Sequence, residues 1–137
     1  MLIFESNLIY KTFHYFFKVE PDNDSAQEMG NPDQEMSESD EEKLSEMRQQ
    51  ATGAFADGDY EKAALKFTEA IKLNSQSALM FAKRANCYIH LNKPNACIRD
   101  CNRAIELNPD SAPAHKFRGR AHRFFFVDSS VWILTNK

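Results

Sequence analysis

The segment AIKLN at residues 70–74 returns as AIELN at residues 104–108, 34 residues further along the chain. Small residues recur at the same interval, at Ala51, Ala85 and Gly119. A period of 34 residues is typical of stacked pairs of amphipathic helices. One such pair cannot bury its apolar face alone, so the pairs stack and present a concave surface to other proteins. The repeat therefore predicts an all-α protein whose function is binding.

Turn and cap residues around the repeat predict where the helices begin and end. Ser39 and Glu42 fit a capping box, so the first helix should begin near Asp40. Pro94 stands where a first helical residue benefits from a fixed backbone angle, and Ser111 is placed to cap a last helix. The predicted helices cover residues 40–56, 60–73, about 79–89, 94–107 and a stretch from 112 onward.

Residues 20–42 carry a dense negative charge. This stretch holds ten of the twenty acidic residues of the chain and no Lys or Arg. It also lacks aromatic residues, so it cannot bury enough apolar area to offset the entropy of an ordered chain. We expect residues 19–39 to form a disordered acidic linker.

The rest of the charge indicates the kind of partner. Residues 78–123 contain nine Lys or Arg against three Asp or Glu, although the formal net charge of the whole chain is -3. Such a basic region favours an acidic protein surface as partner, whereas no nucleic-acid motif accompanies it. Three cysteines without a secretory signal indicate reduced thiols and a cytoplasmic location.

Both ends of the chain depart from the repeat pattern. Residues 1–18 are aromatic and apolar but are interrupted by charges, so we expect neither a signal peptide nor a membrane span. Residues 124–137, FFFVDSSVWILTNK, form two apolar runs that favour strand or irregular packing as much as helix. We expect residues 131–134 to cover part of the last helix.

The repeat residues resemble the tetratricopeptide repeat. Two full copies cover residues 44–77 and 78–111, and a partial copy covers residues 112–123. The signature positions are occupied by Ala51, Gly58, Tyr60, Ala63, Phe67 and Ala70 in the first copy and by Ala85, Ala104 and Pro109 in the second.

A narrower resemblance covers residues 19–123. The stretches KPNACIRDC at 93–101, AIELNPDSA at 104–112 and KFRGRAHR at 116–123 resemble the Hip co-chaperones, in a truncated or variant form. That resemblance implies binding to the ATPase domain of the seventy-kilodalton heat-shock chaperone and stabilisation of its ADP state. The Hip family dimerises through a region before its acidic linker, and residues 1–18 do not resemble that region.

Many other tetratricopeptide co-chaperones instead bind the acidic tail of a heat-shock chaperone through a two-carboxylate clamp of Lys, Asn and Arg. In the same repeat register the five clamp positions hold Arg48, Thr52, Lys83, Pro113 and Phe117. Only Arg48 keeps a suitable charge, while Lys83 adds one of its own, so bidentate carboxylate recognition is disfavoured. The alternatives to Hip-like binding are a generic adaptor for acidic peptides, including the chaperone tail, and an inactive truncated product.

Groove-facing positions of the first helices are the candidate partner-binding residues, and together they favour an acidic partner. For any one Lys or Arg, simple solvation of a helix surface is an equally good interpretation. Around Phe117 we expect several cations to surround one ring. The eight candidates are Arg48, Thr52, Lys83, Asn86, Lys116, Phe117, Arg120 and Arg123.

The sequence predicts neither a cofactor nor a metal. Cys97 and Cys101 lie four residues apart after His90, but a structural zinc needs four ligands, and both cysteines occupy positions that require small core residues. No phosphate loop, nucleophile elbow or acid pair is present, so we expect a protein that is not an enzyme.

Overall fold

The computed structural model describes residues 25–135, with side-chain packing over residues 25–123. Its regular elements are all helical, in agreement with the predicted fold class. They are α1 Glu38–Ala56, α2 Tyr60–Leu73, α3 Ala78–His90, α4 Pro94–Leu107 and α5 Ala112–Thr135. The first four form two antiparallel hairpins, and α5 packs against α3 and α4.

Local sequence explains most of the helix boundaries. The predicted start of α1 lies two residues too late: the N-cap is Ser37 rather than Ser39, and Asp40 rather than Glu42 completes the capping box. The hydrogen bonds with Ser37 lower the pKa of the Asp40 carboxyl. Gly58 turns the first hairpin at φ 81°, and Asn92 turns the second at φ 55°, a left-handed conformation that Asn tolerates better than most residues.

Small side chains allow the helices of the two hairpins to approach one another. Ala51, Ala85 and Cys97 are fully buried, as the repeat pattern predicts, and Phe67 is only 2% exposed. Gly119, the third member of the small-residue series, is different. It is exposed, and a Cβ there would meet no atom within 4 Å. The described residues contain no second helix of the third copy that could pack beside Gly119. In the first two copies, α2 and α4 are the second helices and cover the matching positions.

The end of α5 differs from the expectation for the apolar tail. Residues 124–135 continue α5 as one helix, so residues 131–134 belong to it and do not fold back over it. No Gly or Pro interrupts residues 120–135, and extending an established helix is easier than starting a new one. The predictions for residues 1–18 lie outside the described residues.

The acidic linker is the main correction to the predicted fold. Residues 25–37 lack helix and strand, as predicted, but they are not detached from the repeats. Residues 25–32, which we call the strap, lie across α2, α3 and α4. The strap forms hydrogen bonds with α3, with α4 and with the loop after α2. It also forms an ion pair with α2, between Glu28 and Lys72. The remaining residues of the linker prediction, 19–24, lie outside the described part of the chain.

Candidate protein-binding groove

A groove runs between α1, α3 and α5, the first helix of each copy. Its deepest part is a cavity of about 270 Å³ with a mainly apolar lining. Phe67, from the second helix of the first copy, closes its floor. The lining residues are Thr52, Phe55, Phe67, Leu79, Lys83, Asn86, Pro113 and Phe117.

Five of the eight candidate residues meet in this groove. Thr52, Lys83, Asn86 and Phe117 line the deep cavity. Arg48 joins Thr52 and Lys83 in a shallower, more open cavity of about 620 Å³ at the α1 side. The groove therefore combines an apolar centre with two cations on one rim.

The other three candidates lie on α5 beside the groove. The Lys116 Nζ is 5.9 Å from the centre of the Phe117 ring, within the range of a cation–π interaction. Arg120 and Arg123 are exposed and line neither cavity. Among the described contacts, only Lys116 shows the predicted arrangement of a cation over this ring.

The polar groups of the groove differ in their availability to a ligand. The Thr52 hydroxyl donates to the carbonyl of Arg48 at 2.8 Å, so its proton is already used in a hydrogen bond within α1. The Oδ1 atom of Asn86 is buried and has no hydrogen-bond partner among the described residues. None of the ion pairs formed within the described part of the chain involves Arg48 or Lys83.

The five clamp positions lie together in the groove, but most of their residue types differ from those of a two-carboxylate clamp. All five of them line the deep cavity or its open extension. Pro113 and Phe117 offer no side-chain hydrogen-bond donor, so the α5 side presents apolar surface where a clamp presents two cations. The groove is therefore present, but its α5 side lacks the side-chain donors that a two-carboxylate clamp requires.

A buried ion pair, absent from the sequence-based candidates, lies on another side of α3. Arg84 Nε and Nη2 donate to the two carboxylate oxygens of Asp100, each at 2.7 Å, and both side chains are fully buried. The Arg84 guanidinium also lies over the rings of Phe81 and Tyr88, at 5.6 and 5.9 Å from their centres. Burial raises the pKa of the Asp100 carboxyl, whereas the hydrogen bonds from Arg84 and Gln27 act in the opposite direction.

The strap completes the hydrogen bonding of this pair. Arg84 Nη1 donates to the carbonyl of Glu28 at 2.8 Å, and Gln27 Nε2 donates to Asp100 Oδ1 at 3.0 Å. Met29 packs against the apolar core beside them. Gly30 has φ 74°, and a Cβ there would stand 2.6 Å from the carbonyl oxygen of Ile71, so only glycine fits without a shift.

The sequence contained a signal for the buried pair. Asp100 stands among Ala96, Cys97, Cys101 and Ala104, all on the small, buried face of α4. A carboxylate on such a face requires a buried cation or hydrogen-bond donors. That requirement predicts a buried partner for Asp100, although it does not identify Arg84.

The cysteines behave as core residues. Cys97 Sγ and Cys101 Sγ are 3.9 Å apart, and both side chains are fully buried. The hydrogen bond with Cys101, together with burial, raises the pKa of the Cys97 thiol, and burial raises that of Cys87 to about 12. Such thiols are poor nucleophiles at neutral pH. Among the side chains described, those of residues 25–123, no three of His, Cys, Asp or Glu come together as metal ligands.

Comparison with known sequences shows what this chain is similar to. Residues 78–111 match the sequence model of the tetratricopeptide repeat. Over 105 residues the chain is 47% identical to Hsc70-interacting protein 1 of Drosophila melanogaster, an alignment that covers 77% of this chain and 28% of that protein. The chain thus spans a little over a quarter of the length of that relative.

Comparison with solved structures gives the same fold. The Arabidopsis OM64 TPR domain superimposes with a TM-score of 0.62 at 26% identity, covering 64% of this chain and 72% of that one. The first TPR of Spaghetti (RPAP3), solved with the HSP90 peptide SRMEEVD, gives a TM-score of 0.58 at 27% identity and covers 62% and 67%. No helix among the described residues is long and apolar enough to cross a membrane.

Proposed function

We propose, from the premise that this chain is a tetratricopeptide-repeat protein similar to Hsc70-interacting protein, that its groove binds the seventy-kilodalton heat-shock chaperone. The target is the ATPase domain of that chaperone in its ADP state, which the bound repeat array stabilises. Binding takes place in the cytoplasm and involves no catalysis by this chain. The observation that carries the proposal is a groove with an apolar centre and the cations Arg48 and Lys83 on one rim.

The chemistry of the groove supports a folded, acidic partner surface. Interfaces of this kind gain most of their stability from a buried apolar centre, and surrounding charges select the partner and speed association. Phe117 and Leu79 supply exposed or half-buried apolar surface at the centre. Lys116, Arg120 and Arg123 extend the positive charge along α5 towards the same partner.

A second candidate ligand is an acidic peptide such as the tail of a heat-shock chaperone. Its support is the similarity to the RPAP3 repeat that was solved with an HSP90 peptide. Against it stand Pro113 and Phe117, because neither can donate a hydrogen bond to a terminal carboxylate. We therefore rank the ATPase domain first.

Calorimetric titration of the full chain into the ADP-bound ATPase domain tests the main proposal. The variant with both Arg48→Glu and Lys83→Glu should bind at least about tenfold more weakly, equivalent to about 1.4 kcal/mol. Lys62→Glu is the matched control, since Lys62 is an exposed cation on α2 that lines no part of the groove. Equal affinity of the groove variant and the control would contradict the proposal.

Two further measurements separate the alternatives. The affinity of an acidic peptide, measured with and without its terminal carboxylate, tests the peptide-adaptor alternative. Only a groove that binds the carboxylate would bind the two peptides with different affinities. Charge reversal at Arg120 and Arg123 asks whether the α5 surface takes part. An unchanged affinity for the ATPase domain would exclude these two arginines from the interface.

A further inference from the structure

The outward face of α1 carries a row of carboxylates. Glu38, Glu42 and Glu46, which we call the acidic ladder, follow one another at steps of four residues and therefore share one face of the helix. All three are exposed, on the side away from the buried Leu44. None of the ion pairs formed within the described part of the chain involves them. The Gln50 amide donates to Glu46 at 2.9 Å, but this neutral donor leaves the negative charge uncompensated.

The outward face of α5 carries a similar row of cations. Lys116, Arg120 and Arg123, which we call the basic ladder, stand four and three residues apart and are exposed, on the side away from the buried Ala114. The ion pairs of the described residues include none of the three. Lys116 lies over the Phe117 ring, a contact that does not neutralise its charge. The basic ladder therefore has no counter-charge within residues 25–123.

The surface of α5 beside the basic ladder is open to another helix. Gly119 lies on this side, and a Cβ there would meet no atom within 4 Å. In the first two copies α2 and α4 cover the matching positions, whereas the described residues contain no second helix of the third copy. The outer face of the last helix of a repeat array requires such a cover or a polar cap. On α5 this face is polar, and its charges are all of one sign around a residue without a side chain.

The two ladders match in an antiparallel crossing. At 1.5 Å per residue, the three cations span about 10.5 Å along α5 and the three carboxylates span about 12 Å along α1. Lys116 then faces Glu46, and Arg120 faces Glu42. Two acidic ladders or two basic ladders would instead place like charges together, which is unfavourable. Charge therefore selects the pairing of α1 with α5 and opposes the pairing of either helix with its own copy.

We propose that two copies of this chain associate head to tail, with the acidic ladder of one copy on the basic ladder of the next. The ladders belong to the first and last helices of the array and face outward at its two ends, so the contact forms between copies rather than within one. Such a heterologous contact leaves one ladder free on each side, and association continues as concentration rises. Exposed ion pairs are individually weak and are screened by salt, so the contact requires high protein concentration and low ionic strength.

The basic ladder also belongs to the surface proposed for the chaperone, so a second copy and the chaperone compete for it. The acidic ladder lines neither cavity of the groove. Substitutions in the acidic ladder should therefore remove self-association and leave the affinity for the ATPase domain unchanged. Self-association is measured without chaperone, so its failure leaves the proposed function intact.

Sedimentation velocity of the full chain tests the contact. The weight-average sedimentation coefficient should rise with protein concentration at about 0.01 M salt, and the association constant should fall about tenfold at about 0.15 M, because the screening length falls from about 30 to about 8 Å. A coefficient independent of concentration at low salt would overturn the proposal. Association of equal strength at both salt concentrations would also overturn it, since apolar contacts do not weaken over this range.

Two charge-reversal variants identify the faces. The chain with Glu42→Lys and Glu46→Lys, and the chain with Lys116→Glu and Arg120→Glu, should each sediment as a monomer, because in each of them both ladders carry the same sign. An equimolar mixture of the two should associate again at low salt, since the basic α1 of one variant meets the acidic α5 of the other. A mixture that stays monomeric would contradict the pairing of α1 with α5.

The control variant carries Lys62→Glu and Lys66→Glu, which reverse the same number of charges on α2, outside both ladders. It should associate as the unmodified chain does, and its melting curve by circular dichroism, with those of the other variants, shows that the chains are folded. A control as monomeric as the chain with Lys116→Glu and Arg120→Glu would assign the effect to net charge and overturn the proposal.

Discussion

Lys83 and Arg84 are neighbours on α3, yet they belong to regions with opposite physical demands. Lys83 is half-buried on the rim of the groove and takes part in none of the ion pairs of the described residues. Arg84 is fully buried under the strap and forms a bidentate pair with Asp100. Successive helical residues point about 100° apart, so one step along α3 separates the proposed binding groove from the core.

The comparison teaches that charge in a repeat sequence has two different uses. On the groove side, a cation remains available to a partner and contributes little to folding. On the strap side, a cation is buried away from water and needs an opposite charge and hydrogen-bond acceptors, because an unpaired buried charge is strongly destabilising. Stability and binding should therefore respond separately to substitution on the two sides.

Arg84→Ala should produce the largest effect on stability. Removing one partner leaves Asp100 as a buried charge that keeps the hydrogen bond from Gln27 but loses both bonds from Arg84, so we expect a loss of about 3 to 5 kcal/mol. Urea denaturation of the full chain measures it. Lys83→Ala is the control on the opposite side and should change stability by less than about 0.5 kcal/mol. Similar losses in both variants would refute the contrast between the two sides.

The double replacement Arg84→Met with Asp100→Leu sharpens the same contrast. It removes both charges and leaves apolar groups of similar volume, which often costs little. We expect it to be more stable than Arg84→Ala under the same denaturation conditions. A double variant less stable than the single one would mean that packing, rather than the uncompensated charge, dominates.

Gln27→Ala should have an intermediate effect. It removes the strap donor to Asp100 and a second hydrogen bond, at 2.8 Å, to the carbonyl of Ala96. Loss of partners by buried acceptors predicts about 1 to 3 kcal/mol, measurable by urea denaturation. Gln34→Ala is a suitable control, since Gln34 is an exposed amide in the same acidic stretch. If the two variants were equally stable, the strap would not be part of the folded unit.

Lys83→Glu should separate binding from folding on the groove side. We expect an approximately tenfold loss of affinity for the ADP-bound ATPase domain, about 1.4 kcal/mol, with an unchanged urea midpoint. The affinity loss should be smaller at high salt, because mobile ions screen an exposed charge. A shifted midpoint without a loss of affinity would assign Lys83 to the fold rather than to the groove.

Lys72→Ala should have the smallest effect. Lys72 pairs with Glu28 of the strap, but both side chains are more than half exposed, at 52% and 61%. Such a pair contributes about 0.2 to 1 kcal/mol and less at high salt. Denaturation at low and at high salt tests this, and an effect as large as that of Gln27→Ala would mean that charge rather than burial attaches the strap.

Prediction from sequence succeeded where the fold depends on periodicity. The 34-residue repeat placed α2 at residues 60–73 and α4 at residues 94–107, the bounds that the structure has. It also brought Arg48, Thr52 and Lys83 to adjoining cavities of one groove. These successes have one cause: helical and repeat spacing fix which side of a helix a residue occupies.

Prediction failed where a segment without periodicity meets the repeats. The composition of residues 19–39 indicated a linker with nothing to bury, because it contains few apolar residues. The strap instead attaches through Gln27 and the carbonyl of Glu28, which satisfy polar groups already buried in the repeats. The composition of this segment does not reveal these hydrogen bonds, because the groups that need partners, Arg84 and Asp100, lie more than fifty residues away along the chain.

The sequence by itself determined the helical hairpins, their register and the positions that face the groove, because these follow from local spacing. Only the tertiary structure decided that Arg84 is core while Lys83 is surface, and that residues 25–32 are part of the folded unit. The physical reason is desolvation. Whether a charge is stabilising or available depends on which groups surround it in space, and those groups come from α2, α4 and the strap.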